Sequence, residues 1–367
     1  MTKYQSLLIY YFSGTGNAMS AARWIGDHAR TAGVTTQVLN IEELGDKEVT
    51  IPPLNGKTLI GFCFPTHGFA APWLMLKFLA RFPRVSGADL FFLNTRAGFR
   101  LWKLVAGPGL SGLAMWLPMV LFWLRGYSIV GSLPLDMPHS WISFFWPNTM
   151  RGRELIVARC RRIVSTFSER LLQGRRYYRW SIWLTLPLDL AVSPIVPLYL
   201  FLGRFMLAKT LFASYTCSDC DLCEKYCPIG AIERKGGRPY WKYSCESCMR
   251  CMNICPKKSI QSWVTRLALY GYLIMAVGIP LVALNSTLWF IIATISVFPL
   301  YRLMHELWRW KPINVLFTFT SLTRAWNRYL APGVKAKDFR GSTAPAPKHD
   351  DVSERTQPGT PADRDLG

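Results

Sequence analysis

Charge is what this sequence has least of. Only 18% of its 367 residues are Asp, Glu, Lys or Arg, against about 25% in an ordinary soluble domain. Acidic residues are the scarcer kind, 22 against 43 basic ones, so the formal net charge is +21. With 50% apolar residues, disorder as the dominant state is excluded, and the chain is not expected to be wholly soluble. A secretory leader is missing too. Residues 1–12 have no basic start, long apolar core or small-residue cleavage site, which argues against a disulfide-built secreted scaffold. The basic residues are accompanied by no base-reading motif, so nucleic acid is not an expected partner. The longest absence runs from Leu267 to Tyr301, 35 residues without one Asp, Glu, Lys, Arg or His.

Cysteine, by contrast, is concentrated. Eight of the ten lie between Cys217 and Cys255, spaced Cys217-x-x-Cys220-x-x-Cys223-x-x-x-Cys227-Pro228 and again Cys245-x-x-Cys248-x-x-Cys251-x-x-x-Cys255-Pro256. Three thiolates at two-residue gaps can wrap one corner of an iron-sulfur cube, while the fourth, stopped by proline, points toward the other cube. One 4Fe-4S cluster would therefore take Cys217, Cys220, Cys223 and Cys255, and the other Cys245, Cys248, Cys251 and Cys227. Zinc sites would more naturally use separated pairs, and a reducing cytosol would not keep disulfides. Residues 215–262, including Pro228-Ile229-Gly230-Ala231-Ile232 and Pro256-Lys257-Lys258-Ser259-Ile260, resemble the bacterial two-cluster ferredoxins. That resemblance implies a small α+β domain and single-electron transfer at low potential. Cys63 and Cys160 read as inert buried thiols, although the arginines near Cys160 would favour thiolate.

At the amino terminus the apolar run 6–12 ends in Ser13-Gly14-Thr15-Gly16-Asn17, and Ala18 to Ala29 reads as a helix. Strand, small-residue loop and helix form a phosphate-binding arrangement, with amide N–H groups and the positive end of the helix dipole turned toward an anion. The loop spells neither the dinucleotide fingerprint nor a P-loop, and no Gly-x-Gly-x-x-Gly is read elsewhere to supply a nicotinamide site, so direct NAD(P)H oxidation is disfavoured. Further strands are expected at 35–41, 58–64, 88–94 and 127–133 with helices between them, which implies a doubly wound parallel sheet. Ligands of such sheets sit beyond the strands' carboxyl ends, where the loops Pro65-Thr66-His67-Gly68-Phe69 and Asn94-Thr95-Arg96-Ala97-Gly98-Phe99 stand. The first strand, its loop and these two later loops resemble the flavodoxins. The resemblance implies that Ser13, Gly14, Thr15, Gly16 and Asn17 hold an FMN phosphate and that the later loops flank the flavin ring. Ala18 departs from it, standing where the flavodoxin loop usually has a Thr. Over residues 4–262 the order resembles a family of flavodoxin-ferredoxin fusion proteins.

The domain plan expected from these readings is an α/β flavodoxin-like FMN domain (1–179) with an apolar insertion (101–124), then an apolar interfacial segment (180–214). After them come the α+β two-cluster ferredoxin domain (215–262), an α-helical membrane hairpin (267–304), a basic juxtamembrane segment (305–340) and a disordered tail (341–367). The uncharged stretch is too long for one crossing of a hydrocarbon core of about 30 Å, so it is expected to cross the lipid bilayer as 267–284 and 288–304, turning at Asn285-Ser286-Thr287. Flanking Lys257, Lys258, Arg266, Arg302, Arg309 and Lys311 put both ends, and the redox domains, on the cytoplasmic side of the cytoplasmic membrane. Residues 104–124 cannot cross singly without putting the strand at 127–133 across the membrane from its own sheet, nor 180–203 without parting flavin from clusters, so each is expected to dip into the interface. Nine Arg against two Glu in residues 151–179 suit anionic headgroups. The expected function is a membrane-anchored electron carrier linking FMN and two clusters to an unidentified donor and to a membrane or radical enzyme as acceptor. A flavin-dependent quinone oxidoreductase and a scaffold with structural clusters are the alternatives.

Overall fold

The computed structural model describes residues 2–45, 49, 51, 56–101, 105–143, 145–282 and 286–339. Six parallel strands form the main sheet: β1 (Ser6–Tyr11), β2 (Thr35–Asn40), β3 (Thr58–Pro65), β4 (Asp89–Ala97), β5 (Ser128–Met137) and the two-residue β6 (Tyr177–Tyr178). Their order is β2-β1-β3-β4-β5-β6. The chain thus winds outward to β2 and then back past β1, which is the flavodoxin-like doubly wound order with its switch point between β1 and β3. Helices α1 (Asn17–Thr31), α2 (Trp73–Arg81), α3 (Leu113–Leu124) and α4 (Met150–Leu172) cover it.

Alternation along β1 shows why the sheet is two-sided. Leu7, Ile9 and Tyr11 pack with Met19 and Ile25 of α1 and Val164 and Phe167 of α4. Leu8 and Tyr10 pack on the other face with Met75 and Phe78 of α2 and Phe122 of α3. Strands buried on both faces read as continuous apolar runs. The second layer is mainly aromatic, with Phe62 centred 5.4 Å from Phe92 and 5.3 Å from Phe122. Each such ring contributes roughly 1.5–3 kcal/mol through burial.

The stretch 105–124, part of the segment expected to dip into a bilayer, is built into the sheet's connections. Phe99–Leu101 and Val105–Gly107 pair as a small antiparallel ribbon, and α3 is the crossover helix that carries the chain from β4 to β5. Met115 and Phe122 enter the sheet core, while Val120, Leu121, Trp123 and Leu124 face outward. A helix apolar on both sides gives no periodic sign of which side is covered. Residues 180–208 fold as α5 (Ser181–Val192) and α6 (Ile195–Ala208), bent by 62° at their junction.

The cysteine-bearing region is framed by β7 (Leu211–Ala213) paired antiparallel with β10 (Ile260–Ser262), and by the hairpin of β8 (Ile232–Lys235) and β9 (Arg238–Trp241). Between them lies α7 (Arg250–Ile254). Beyond β10 come α8 (Val264–Val282), α9 (Ser286–Leu307) and α10 (Lys311–Phe319). Trp308 at the end of α9 stacks on Phe212 of β7 at 4.8 Å and meets Trp263 edge-on at 5.5 Å. The expected hairpin is thus helical and fixed to the cysteine region, and its Asn285 lies outside the described residues. Among the described residues no single helix is long and apolar enough to cross a membrane, whereas the bent α5–α6 pair is so when taken together. The chain then returns to the first sheet, where Ala331, Val334 and Phe339 join the core with Met19. The tail 341–367 lies outside the described residues.

Candidate functional site

The eight clustered cysteines sort into two pockets. Cys217, Cys220, Cys223 and Cys255 line one with Pro256 and Ile260. Cys227, Cys245, Cys248 and Cys251 line the other with Ile229 and Trp241. Each pocket therefore takes three cysteines from one run and the fourth from the other, the division expected from the spacing. The local backbone repeats as well. Asp219 and Asp221 have φ of 53° and 52°, and Ser247 and Met249, at the same positions of the second run, have 50° and 61°. Left-handed residues without glycine are uncommon and cost on the order of 1–3 kcal/mol each. Alternating right- and left-handed residues turn successive N–H groups into one concavity, the kind that receives anions and iron-sulfur centres. The proline-stopped cysteines match too: Cys227 Sγ accepts the N–H of Ala231 at 3.2 Å, and Cys255 Sγ that of Ser259 at 3.2 Å.

Electrostatics in the pockets is adverse to free thiolates. Burial, with Cys217 and Cys255 beside it, pushes the Cys223 thiol up to about 12. Burial likewise lifts Cys248 to about 12 and raises Cys245 and Cys251 further, neighbouring thiols adding to it. Thiols in such a space ionise only where a cationic body stands among them. Among the described residues no group of three or more His, Cys, Asp or Glu is gathered as around one metal ion. Cys63 and Cys160 are buried apart from the pockets. Burial lifts Cys160 to about 12, and its thiol donates to the Asp136 carbonyl at 3.2 Å.

The loop Ser13–Asn17 joins β1 to α1 at the sheet's switch point, and it is closed. Ser13, Thr15 and Asn17 are 2%, 4% and 7% exposed. Ser13 Oγ accepts the Gly16 N–H at 3.0 Å. Asn17 donates to the Pro138 carbonyl at 2.8 Å and accepts from Tyr329 Oη at 2.6 Å. The Thr15 carbonyl takes the Ala331 N–H at 2.9 Å. Gly14 is glycine because of a close approach: a Cβ there would lie 2.3 Å from the Cys248 carbonyl oxygen. Arg250, two residues on, donates to the Ser13 and Gly14 carbonyls at 2.8 and 3.3 Å. Its guanidinium also pairs with the buried carboxylate of Glu42, one contact being 2.7 Å. The loop thus lies directly against the second cysteine pocket.

The other expected loops are brought beside it. Phe12 and His67 meet edge to face at 6.2 Å, and Asn94 donates to Thr66 Oγ1 at 2.7 Å. Pro65 ends β3, and Thr66 donates its N–H to the Thr95 carbonyl at 2.8 Å. Burial lowers His67 to about 4, and its Nδ1 has no hydrogen-bond partner. Phe69 has φ of 64° and lies against Gly112. Arg96 is tied to Asp136 at 3.0 Å and to Ser111 at 2.9 Å. Ala97 ends β4, and Gly98 lies beside Asp136. Phe99 begins the ribbon strand, its side chain lying outside the described residues. Over Gly68 sits Tyr199 of α6, whose ring carbon would be 2.2 Å from an added Cβ.

Sequence reasoning took Gly107-Pro108-Gly109 and Gly112 only as breakers of an apolar insertion, and the expectation that the chain holds no Gly-x-Gly-x-x-Gly is corrected here. Gly107-Pro108-Gly109-Leu110-Ser111-Gly112 has the Gly-x-Gly-x-x-Gly spelling and runs into α3. Its N–H groups are already bonded to carboxylates of the chain: Gly109 to Asp136 at 2.8 Å, and Ser111 and Gly112 to Asp189 at 2.8 and 2.7 Å. The spelling could have been found, but Asp189 approaches from 77 residues away and leaves no local sign.

No protein-family model matches the chain, and no curated protein matches it. Solved structures similar to it include oxidised flavodoxin 1 from Bacillus cereus, at 15% identity over 45% of this chain and 97% of that one, TM-score 0.28. The two-electron-reduced flavodoxin of Megasphaera elsdenii is 15% identical over 44% and 98%, TM-score 0.27. The NAD(P)H:quinone oxidoreductase of Methanothermobacter marburgensis is 13% identical over 44% and 98%, TM-score 0.31. At these values the likeness carries nothing about ligand or activity, and the flavodoxin-like fold stands on the strand order itself.

Proposed function

We propose that this chain is a membrane-associated electron carrier whose two cysteine pockets hold 4Fe-4S clusters and deliver single electrons to a redox enzyme at the cytoplasmic face. The observation that carries the reading is the sorting of eight cysteines into two crossed sets, each over the same left-handed backbone turn. Such clusters, when bound, supply one-electron chemistry at a potential set by charge, sulfur hydrogen bonds and exposure. A cube presents four irons to four thiolates, so its ligands line a pocket instead of meeting at one point. The chain's own part is to hold the thiolates, to donate the Ala231 and Ser259 N–H groups to sulfur, and to exclude water with Ile229, Trp241 and Ile260.

The FMN expected at Ser13–Asn17 would meet a loop buried under Cys248, Arg250 and Ala331, and no step is assigned to it. Reversible reduction would separate a carrier from a scaffold. Anaerobically prepared protein should contain about eight iron per chain and give the EPR signals of two reducible clusters. Absence of iron would sink the reading.

Bilayer association is supported by the outward faces of α3 and α5, which meet through Trp116 and Trp183 at 5.5 Å. Trp123, Leu124, Trp183, Leu184 and Phe201 are all more than half exposed, and an apolar surface of this kind marks an interaction site. The exposed arginines of α4 lie on the other face of the sheet from α3, so attraction to anionic lipid rests on the net charge of +21. The protein should sediment with anionic vesicles more strongly than with neutral ones, and sedimentation with neither would remove the membrane from the proposal.

A further inference from the structure

We infer that the Ser13–Asn17 loop is an internal docking site for the cysteine-bearing region, and that in this docked form it takes no flavin phosphate. An anion site at the start of a helix works by leaving its N–H groups open to the ligand. Here the space before α1 is filled by protein from two directions. Cys248 presents its carbonyl against Gly14, and Arg250 grips the Ser13 and Gly14 carbonyls while its guanidinium lies over the Phe339 ring, 4.3 Å away. From the carboxyl-terminal side come Tyr329 on Asn17, Ala331 on Thr15, and Val334, which an added Cβ on Gly16 would meet at 2.9 Å.

The place beside the later loops is narrowed independently, with residues 65–69 half-buried and Ala97 and Gly98 exposed. Tyr199 of α6 lies on Gly68, and Arg204, just over one turn on, spreads over Trp73 at 4.7 Å and reaches Glu246 at 3.7 Å. Glu246 in turn accepts the Trp73 N–H at 3.0 Å. The loop before α3 repeats the pattern, with Asp189 supplying the carboxylate that its N–H groups receive. The start of α1 and the neighbouring anion place are therefore covered by parts of the chain itself, and the ring place is narrowed by them.

The flavodoxin-like sheet then serves as a receptor for the cysteine region, and the pockets alone exchange electrons. This rests on packing and not on iron, so flavin and iron content are separate readouts. Wild-type protein prepared anaerobically is incubated with excess FMN and desalted, and flavin released by acid is measured beside iron. The expected result is no retained FMN at full iron content, whereas one FMN per iron-loaded chain overturns the inference. Hydrogen exchange gives a second test. The amides of residues 13–17 should exchange slowly in the wild type and be unchanged by FMN, and fast exchange there overturns it. Gly14→Ala should accelerate exchange in residues 246–251, because its Cβ has to displace Cys248, and unaltered protection in that segment counts against docking.

Discussion

In the pocket of Cys217, Cys220, Cys223 and Cys255, Cys220 is exposed, and Asp219 and Asp221 keep 56% and 54% of their side-chain surface. In the pocket of Cys227, Cys245, Cys248 and Cys251, three of the four are buried, and Gly14 lies against Cys248. The same motif, with the same left-handed turns, thus faces solvent once and faces a second folded unit once. The first is the more open to a partner. On the proposed reading electrons leave and enter there, and the second pocket is the inner station, whose surroundings are fixed by the sheet.

Breaking the buried pocket should do the most. Cys251→Ser should lower iron from about eight to about four per chain and also markedly lower the melting temperature, since Cys251 packs with Trp241 and Met252. Cys220→Ser should lose a similar amount of iron but melt close to wild type. Equal melting temperatures for the two variants would erase the distinction.

The arginines test the same contrast. Arg250 and Glu42 are 1% and 3% exposed, so Arg250→Ala strands a buried carboxylate and should cost about 3–5 kcal/mol in denaturant unfolding. Arg234, the exposed pocket's counterpart, pairs with Asp219 and Asp221 at 2.8 and 2.6 Å and is 32% exposed. Arg234→Ala should cost less than about 1 kcal/mol.

His67 probes the half-buried loop 65–69 from another side. Its folded pKa of about 4 lies below the ordinary 6.5 because burial disfavours the charged ring. Between those values the unfolded chain binds more protons, so stability present above pH 6.5 is lost as pH falls toward 4, by about 2–4 kcal/mol. His67→Gln should flatten that part of the melting-temperature profile relative to wild type. Coincident profiles would mean that the loop is open to water.

The strands were legible because their signal is local. β1, β3, β4 and β5 hold apolar runs ending near glycine, proline or small polar residues, and all five strands begin within one residue of the expected start. The cysteine sets were legible because spacing alone limits which thiols can share a body. What could not be read was long-range. Tyr199 over Gly68, Asp189 at the start of α3, and Tyr329 on Asn17 join residues far apart in sequence, and no periodicity marks such a contact. The left-handed turn at Met249 was hidden as well, since nothing in that side chain favours the conformation. Residues 305–340 looked like a basic segment beside a membrane, although Ala331, Val334 and Phe339 are buried on the sheet.

The closure of the first loop also fixes an order of assembly. Gly14 is covered by Cys248 and Thr15 by Ala331, so during synthesis the sheet emerges long before its covers, and amino-terminal units fold first. Until residue 331 has left the ribosome, the start of α1 is an uncovered anion-binding end. A nascent chain halted before Cys248 would present it to any phosphate in the cell, whereas the finished protein would not. Ligand access at this loop is then a property of the chain's age.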